Sequence, residues 1–596
     1  MGEEMVVVAY GEQRRANLTG SIDAIRGDAL ENRPASNVAD LVKGAAPNLN
    51  IDMGMRGGEP GAVSSWNIRG MGSLSGNSAP LILVDGVEMN INNIDPETIE
   101  SISILKDASA SAIYGSRAPF GVVLITTKQG HAGEGVRISY SNNFSINAPM
   151  KVPSFIDSYT WATAYNQAAA NSGAAAVYGQ EQMNRIRGYL DGTYPHEYDP
   201  DNPIDNIWAG RREGNANYDW PQVLVKDFSS SQKHNINVSG GNEQTQYYIS
   251  GGFSDQEGIY EYGYDSYDRY NFLSNLTTDI TDWFTFNSSL KYARGRTDYP
   301  VGQTTVGREH WFREIIMFAP MMPFYNENGT IQSPLVRLMQ DTGRIKTETN
   351  DFFITLGSEI EPLDGWLIDF SYNYNNINTQ QGVNPRPVWV ELGTGEFGNV
   401  GKPSSGYQST FSRNTFSLLN LVNSYQQDFG NHHVSILGGY EQEENLFSNC
   451  SGTAENLITD EVPSISTALG ATTLNDRHYH WATQGVFGRF NYNFDEKYLL
   501  EVSARYNGSS RFAEGSRWGL FPSASVGYNI SEEDFWNPVS PYVNMFKLRA
   551  SYGSLGNQNV ANYLYLPTIP VSSELSWIID DERPPFSNAP GLISDQ

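Results

Sequence analysis

The chain has 596 residues, and 67 acidic against 39 basic side chains give it a formal net charge of −28. Because nucleic-acid phosphates attract basic surfaces, this balance argues against nucleic-acid binding. One cysteine, Cys450, is too few for a disulfide framework or a thiolate zinc cluster. An aromatic content of 12% excludes a chain that is disordered throughout.

The first residues lack the basic and apolar regions of a signal peptide. We therefore expect either a cytoplasmic chain or one whose natural N-terminus lies further upstream. The sequence has no apolar run of about 18 residues, which a membrane-spanning helix would need. A membrane β-barrel stays open, because its alternating strands have the mean hydropathy of a soluble protein.

The first 130 residues predict a small α+β domain. A β-prone run, Val6-Val7-Val8, follows two carboxylates, and residues 37–43 have the apolar face of a helix. A strand over 81–84 runs into Asp85-Gly86, which is a strong turn signal. Residues 121–127 form a β-branched strand. No catalytic group of residues is visible in this region.

Two longer segments, 95–117 and 121–128, resemble the plug domain of SusC/RagA-type TonB-dependent outer-membrane transporters. Residues 68–70 and 83–87 resemble plug signatures that come earlier in the domain. Residues 118–120 depart from the family, which usually has a stretch of small residues there, and this difference changes a local turn. The signature residues that the resemblance implies are Asp85, Gly86, Lys106, Asp107, Tyr114 and Gly115.

Residues 4–11 resemble the Ton box, the segment that pairs with TonB in the periplasm. An extended apolar segment can add as a strand to the sheet edge of a partner. The resemblance implies that TonB is contacted by Glu4, Val6, Val7 and Val8. An ordinary strand of the domain is the alternative.

We divide the chain into a Ton box-like segment (1–11), a plug domain (12–130) and part of a receptor β-barrel (131–596).

The remainder of the chain alternates between apolar and polar residues in segments of about ten residues. In residues 498–506, for example, Tyr498, Leu500 and Val502 share one face, and Glu501 and Ser503 share the other. A soluble β-sandwich or β-helix would also alternate. Charges on the polar face and aromatics on the apolar face favour a membrane barrel, as do short turns that alternate with long connections.

Segments 505–512, 517–528 and 547–558 are similar to barrel signatures of the same family, so the resemblance covers nearly the whole chain. We predict a transmembrane antiparallel β-barrel with an N-terminal α+β plug domain in its lumen. Alternation gives roughly 12 or 13 strands, whereas barrels of this family have about 22. We therefore expect an incomplete barrel that lacks its C-terminal strands. Two helices, over 161–170 and 179–186, are predicted in the first external loop.

Arg69 is the candidate that fastens the plug to the barrel. Transporters of this family commonly hold the plug by arginines that face carboxylates of the wall, and a guanidinium binds carboxylates in bidentate geometry without losing its proton. We predict that Arg69 contacts a lumen-facing carboxylate, with Glu501 as a candidate. An exposed loop arginine is the alternative.

Metal binding has two weak candidates. His478 and His480 share one strand face, although an aromatic-rich membrane rim is the ordinary explanation. Asp199, Asp201 and Asp205 are spaced as in a calcium loop, but Ile204 and Gly210 occupy the positions where an EF-hand needs Gly and Glu. We expect no cofactor and no catalytic residues, and leave loop calcium of irregular geometry open.

The resemblance implies TonB-dependent import of oligosaccharides, or of other large nutrients such as peptides, across the outer membrane of a Gram-negative, Bacteroidetes-like bacterium. The expected partners are TonB with ExbB and ExbD, and a SusD-like surface lipoprotein that acts as a lid. The alternatives are a passive porin, a secreted β-rich protein that binds or hydrolyses glycans, and a fragment with no activity of its own.

Overall fold

The computed structural model describes residues 5–8, 10–27, 37–52, 59–68, 70, 78–302, 309–567, 569, 571–572, 578 and 586–587. The predictions for Glu4 and Arg69 lie outside these residues. No helix in these ranges is long and apolar enough to cross a membrane.

In the residues that the structure describes, the N-terminal domain contains nine short strands and two short α-helices. Its strands are β1 (Met5–Val8), β2 (Gly11–Arg14), β3 (Ile22–Arg26), β4 (Leu49–Asp52), β5 (Ser65–Ile68), β6 (Leu81–Val84), β7 (Val87–Glu88), β8 (Ile99–Leu105) and β9 (Val122–Thr127). Its helices are α1 (Val38–Val42) and α2 (Ala108–Ser111). Five strands form one sheet in the order β3-β8-β9-β6-β7, while β1–β2 and β4–β5 form separate pairs.

The core of this domain lies between the five-stranded sheet and α1. Ile102 and Ile104 of β8 and Val123 and Ile125 of β9 are almost wholly buried, and Leu41 of α1 packs against them. Strands buried in this way read as near-continuous apolar runs. The N-terminal domain therefore has an apolar core of its own.

In the described residues after the N-terminal domain, 13 strands form one antiparallel sheet. The strands of the sheet are β10 (Arg137–Asn147), β11 (Ser229–Gly241), β12 (Thr245–Glu257), β13 (Ser266–Thr281), β14 (Phe284–Pro300), β15 (Gly343–Leu363), β16 (Trp366–Pro385), β19 (Gly406–Phe429), β20 (His432–Glu455), β21 (Thr472–Phe494), β22 (Tyr498–Ser509), β23 (Trp518–Asn529) and β24 (Lys547–Gly553). Two short strands in a loop, β17 (Trp389–Glu391) and β18 (Phe397–Asn399), form a separate hairpin. Sheet order follows chain order from β10 to β24, and β25 (Val571–Ser572) pairs separately with β26 (Phe586–Ser587).

The two faces of this sheet differ as a barrel wall requires. On β10, Ile138, Tyr140, Phe144 and Ile146 point outward and are 61–80% exposed. On β20, charged residues alternate inward and are buried. Apolar outer and polar inner positions are the pattern of a transmembrane barrel, so the predicted fold class is confirmed.

The strands are longer than the ten or so residues predicted. β19 and β20 each have 24 residues, whereas about 9–11 residues suffice to cross a bilayer. The ends of these strands that extend beyond the membrane meet water on both faces. The apolar alternation of the sequence therefore fades there, although the backbone hydrogen bonds between the strands continue. This is why the strand lengths were underestimated.

One end of the sheet has short turns and the other has long loops. The short turns include 282–283, 364–365 and 430–431, and the long loops include 148–228 and 301–342. The loops contain α3 (Ser158–Asn171), α4 (Gln180–Leu190), α5 (Gly210–Glu213), α6 (Trp220–Leu224), α7 (Glu309–Met317) and α8 (Pro334–Asp341). The two helices predicted in the first loop, now α3 and α4, are confirmed. Their apolar sides join a loop core that includes Trp220, Trp311 and Leu338.

Candidate functional site: the interface between plug and barrel wall

A buried ionic cluster joins the N-terminal domain to β20 and β22. Arg117, at the end of the short helical segment Ala112–Arg117, places Nη1 2.6 Å from Oε1 of Glu443 and 3.4 Å from Oε1 of Glu441. Arg505 of β22 places Nη2 2.5 Å from the same oxygen of Glu441. We call Arg117, Glu441, Glu443 and Arg505 the ionic cluster.

The ionic cluster is buried, and Arg117 also lies 3.5 Å from Oε2 of Glu88, whose side chain is 55% exposed. All four side chains of the cluster are at most 3% exposed, so two guanidinium groups and two carboxyl groups share one buried site. Buried charges persist when they are paired and their remaining hydrogen-bonding positions are filled. Here the Thr483 hydroxyl donates to Oε2 of Glu443 over 2.7 Å, and Arg505 Nη1 donates to the carbonyl of Ile113 over 3.2 Å. Although burial lowers the pKa of Arg117, Glu443 and Glu441 outweigh burial and raise it, so Arg117 stays charged.

A second part of the N-terminal domain is held to the wall with reversed charges. Asp95 faces Nζ of Lys233 on β11 at 2.8 Å and accepts a 2.6 Å hydrogen bond from Asn235. Asp85 faces Nζ of Lys291 on β14 at 2.8 Å. Here the domain supplies the acids and the wall supplies the bases. Ion pairs at two separate parts of the wall therefore fix the domain within its curve.

Of the predicted plug signature residues, Asp85 and Gly86 shape the turn between β6 and β7. Asp85 has a φ of 49° and accepts hydrogen bonds from both the amide and the hydroxyl of Thr127. Gly86 has a φ of 84°, a value that favours glycine. The turn thereby presents the Asp85 carboxylate to the wall.

Lys106 and Asp107 act inside the plug. Lys106 forms an ion pair with Asp23, and Asp107 caps α2 by accepting a 2.9 Å hydrogen bond from the Ala110 amide. Asp107 also accepts from the Ser21 amide at 2.7 Å. These two residues connect β3 to the end of β8.

Tyr114 and Gly115 lie against the wall beside the ionic cluster. Tyr114 is buried, and its ring stacks at 5.8 Å on that of Tyr10. Gly115 has a φ of 60°, and an added Cβ would lie 2.9 Å from Cδ of Arg505 and 3.2 Å from the Phe521 ring. Glycine is therefore required for this close approach of plug backbone to wall.

The Ton box-like segment forms a hairpin with the residues that follow it. β1 pairs with β2 through the register Met5–Arg14 to Val8–Gly11. Val6 and Val8 are buried beside Leu18, and Val7 packs on the other side toward the wall. TonB contact by these valines remains a prediction, because the structure shows them paired within the chain.

Arg117 is the plug arginine that sequence reasoning missed. The available signal was its position at the end of the plug-like segment 95–117 and the carboxylate pair, two residues apart, at Glu441 and Glu443. Glu501, the partner suggested for Arg69, lies beside Gln13 and Arg489.

The weak metal candidates are not brought together. His478 lies beside Asp476, His480 lies beside the Tyr563 hydroxyl, and Asp199 pairs with Arg185. Among the residues that the structure describes, no three His, Cys, Asp or Glu side chains are grouped to hold a metal ion.

Comparison with known proteins gives two family matches. Residues 14–122 match the TonB-dependent Receptor Plug Domain, and residues 285–577 match the family described as TonB dependent receptor-like, beta-barrel. Between them they cover most of the chain.

Similar proteins cover almost all of this chain. TonB-dependent receptor P3 of Formosa agariphila is 28% identical over 98% of this chain and 54% of its own length. TonB-dependent receptor SusC of Bacteroides thetaiotaomicron is 26% identical over 96% and 55%. The RagAB peptide importer in its open-open state has the same fold, with a TM-score of 0.78 and 22% identity over 99% of this chain and 65% of that one.

The chain thus spans about half the length of the curated relatives it matches. The two family matches agree with the structure, in which a sheet with an apolar outer face encloses the N-terminal domain. The predicted location in the outer membrane is confirmed. The chain belongs to the TonB-dependent receptor family of outer-membrane proteins and is of the SusC/RagA type.

Proposed function

We propose that the chain belongs to an energy-coupled importer of large nutrients. The observation that carries this proposal is the plug held by ion pairs at two separate parts of the wall, through Arg117 at β20 and through Asp85 and Asp95 at β14 and β11. A solute that passes through this lumen requires the plug to move or to rearrange. Work is needed for that step, because buried ion pairs are broken at a cost of several kcal/mol.

TonB is the proposed source of that work, with ExbB and ExbD, since the outer membrane has no ATP. The β1–β2 hairpin lies at the end of the sheet that has short turns, where Arg14 of β2 pairs with Glu496 at 3.0 Å. Short turns of such barrels face the periplasm. This position supports the proposal, because a periplasmic partner would reach the N-terminal segment there.

The proposed substrate is an oligosaccharide, with a peptide as the alternative. At the long-loop end, Trp208, Trp389 and Phe397 are exposed, and exposed aromatic rings suit stacking on sugars. RagAB, which shares the fold, is a peptide importer, and this supports the peptide alternative. A SusD-like lipoprotein is the proposed lid over the long-loop end.

A passive porin and a secreted glycan-active protein are the competing functions. A porin needs an open lumen, whereas the plug occupies the curve of this wall. A soluble glycan-active protein would not expose Ile138, Tyr140 and Phe144 on one strand face. A large steady conductance would favour the porin, and solubility without detergent would favour the secreted glycan-active protein.

Deletion of residues 4–11 tests the proposal in the producing bacterium. Uptake of the substrate should be lost while binding to cells is retained, because the segment that TonB would pull is removed and the external loops are untouched. Val7→Pro should also block uptake, since proline removes a backbone donor that strand pairing needs. Val7→Ile is the matched control and should transport normally. Unchanged uptake after the deletion would contradict the proposal.

The substrate class is tested separately with purified protein. We expect binding of neutral oligosaccharides to be lost when Trp389 or Phe397 is changed to Ala. Binding of peptides instead, unaffected by these changes, would assign the peptide alternative.

A further inference from the structure

Tyr10 lies at the tip of the β1–β2 hairpin and reaches the ionic cluster. Its hydroxyl donates a 2.7 Å hydrogen bond to Oε2 of Glu441. Its ring stacks on Phe487 of β21 at 4.4 Å and on Tyr114 of the plug at 5.8 Å. Tyr10 therefore touches the plug, the wall and the ionic cluster at once.

The backbone of Tyr10 is strained. Its φ is 55°, a left-handed value that bulky residues rarely adopt. Such conformations persist where surrounding contacts hold them, and they cluster at switch regions. The ring stacking and the hydrogen bond to Glu441 are the contacts that hold Tyr10 in its left-handed conformation.

The hydroxyl acts as a neutral donor. Burial raises the pKa of Tyr10 well above its ordinary value, and Glu441 raises it further. The ionic cluster consists of two guanidinium groups and two carboxyl groups, and a neutral hydroxyl adds no charge to them. Tyr10 thus adds a hydrogen bond to Glu441 without changing the charge of the cluster.

The two strands of the hairpin are held differently. On β2, Arg14 pairs with Glu496 at 3.0 Å, and Gln13 lies beside Glu501 of the wall. On β1, Val6, Val7 and Val8 carry no polar side-chain atom, so they can hold the strand only by packing and by the backbone ladder. The nearest polar side-chain attachment of β1 to the wall that the structure describes is made by Tyr10.

We propose that Tyr10 is a latch residue that keeps β1 folded between plug and wall and connects its withdrawal to the ionic cluster. When β1 is drawn out, the Tyr10 hydroxyl leaves Glu441. Glu441 then loses one of the donors that position it, and its contact with Arg117 at 3.4 Å is weakened. Movement of the N-terminal segment and release of the plug are coupled in this way. This role of Tyr10 rests on the proposed function, in which TonB draws out the N-terminal segment.

The test measures how often β1 becomes accessible in the purified full chain, without TonB or substrate. Cys450→Ser removes the single cysteine, and Val6→Cys then places a reporter thiol at a position that is 3% exposed. Tyr10→Phe keeps the ring and removes the hydroxyl. It should speed maleimide labelling of the reporter about tenfold, the effect of losing a hydrogen bond to a charged group.

Three controls make the result specific. Tyr528→Phe removes a hydroxyl that donates to Glu533, in the connection between β23 and β24, at 3.1 Å and should leave labelling unchanged. A reporter at Ala112→Cys, buried in the plug, should be accelerated much less than Val6→Cys, because exposure of the plug also requires the Arg117–Glu443 pair to break. In a Glu441→Gln background, Tyr10→Phe should add little, because both changes act on one interaction.

Equal labelling at Val6→Cys in the presence and absence of the Tyr10 hydroxyl would overturn the proposal. So would equal acceleration at Ala112→Cys, which would make Tyr10 an ordinary packing residue, or an undiminished effect in the Glu441→Gln background. None of these results bears on whether removal of residues 4–11 abolishes uptake, so failure of the latch and failure of TonB-dependent import are distinguishable.

Discussion

Arg117 of the plug and Glu443 of the barrel wall approach to 2.6 Å between Nη1 and Oε1, and their side chains are 3% and 0% exposed. A pair this deeply buried gains little net free energy from forming. Removal of one partner is costly, because a charge is then left in a buried site. The pair therefore makes separation of plug and wall energetically unfavourable.

Arg117→Met should destabilise the plug by about 3–5 kcal/mol, because it leaves a buried carboxylate without its counter-charge. Hydrogen exchange of the amides in β8 and β9 would measure the loss. Arg294→Met is the control, since Arg294 and Glu348 are 41% and 37% exposed on the outer wall, and it should leave plug exchange unchanged. Equal exchange in both variants would show that the ionic cluster does not hold the plug.

Gly115→Ala should lower the stability of the plug against the wall. The backbone at φ 60° and ψ −124° is unfavourable for alanine, and the new Cβ would lie 2.9 Å from Cδ of Arg505. We expect a loss larger than the roughly 1–3 kcal/mol of backbone strain alone. Gly86→Ala is matched, because Gly86 also has positive φ but has nothing within 4 Å of the added atom. Denaturant titration should rank Gly115→Ala as the more damaging, and the reverse order would contradict the close approach.

Asp85 and Lys291 should be energetically coupled. They are 2.8 Å apart, and the Lys291 side chain is 6% exposed. A double-mutant cycle with Asp85→Asn and Lys291→Met should give a coupling free energy of about 1–3 kcal/mol, typical of contacting residues that share an ion pair. Additive effects within about 0.5 kcal/mol would mean that the two residues act independently.

Acid should weaken the hold of the plug on β11. Burial alone would raise the pKa of Asp95, but Lys233 and Arg269 outweigh burial and lower it. A carboxyl with a depressed folded-state pKa contributes stability that is present above its unfolded pKa of about 3.9 and is lost as pH falls through the folded pKa. Denaturation of the plug should therefore become easier below about pH 4. Asp95→Asn should flatten this part of the pH profile, and an unchanged slope in that variant would assign the acid response to other groups.

Local patterns in the sequence were enough to predict individual elements, whereas the arrangement of a plug inside a barrel was predicted from the family resemblance. Asp85-Gly86 marks a turn by its residue types, and the alternation around Tyr498 to Tyr506 marks a wall strand, because both signals are contained within a few residues. The lengths of β19 and β20 were not predictable in this way, since their outer ends face water on both sides.

The site was predictable in kind but not in position. An arginine of the plug facing wall carboxylates was expected, and Arg117 takes that place, whereas Arg69 lies outside the described residues. Pairing of Arg117 with Glu443 depends on the register of β20 and on how the plug is turned inside the wall. Neither is encoded in a short segment, so residue types alone could not select the pair.

The reversed polarity of the two attachments has a consequence for assembly. At one attachment the plug offers a cation to Glu441 and Glu443, and at the other it offers carboxylates to Lys233 and Lys291. A rotation of the plug that placed Arg117 at Lys233 or Lys291 would set like charge against like charge. Repulsion would then reject the misoriented arrangement, so during biogenesis the stopper can seat in one angular setting.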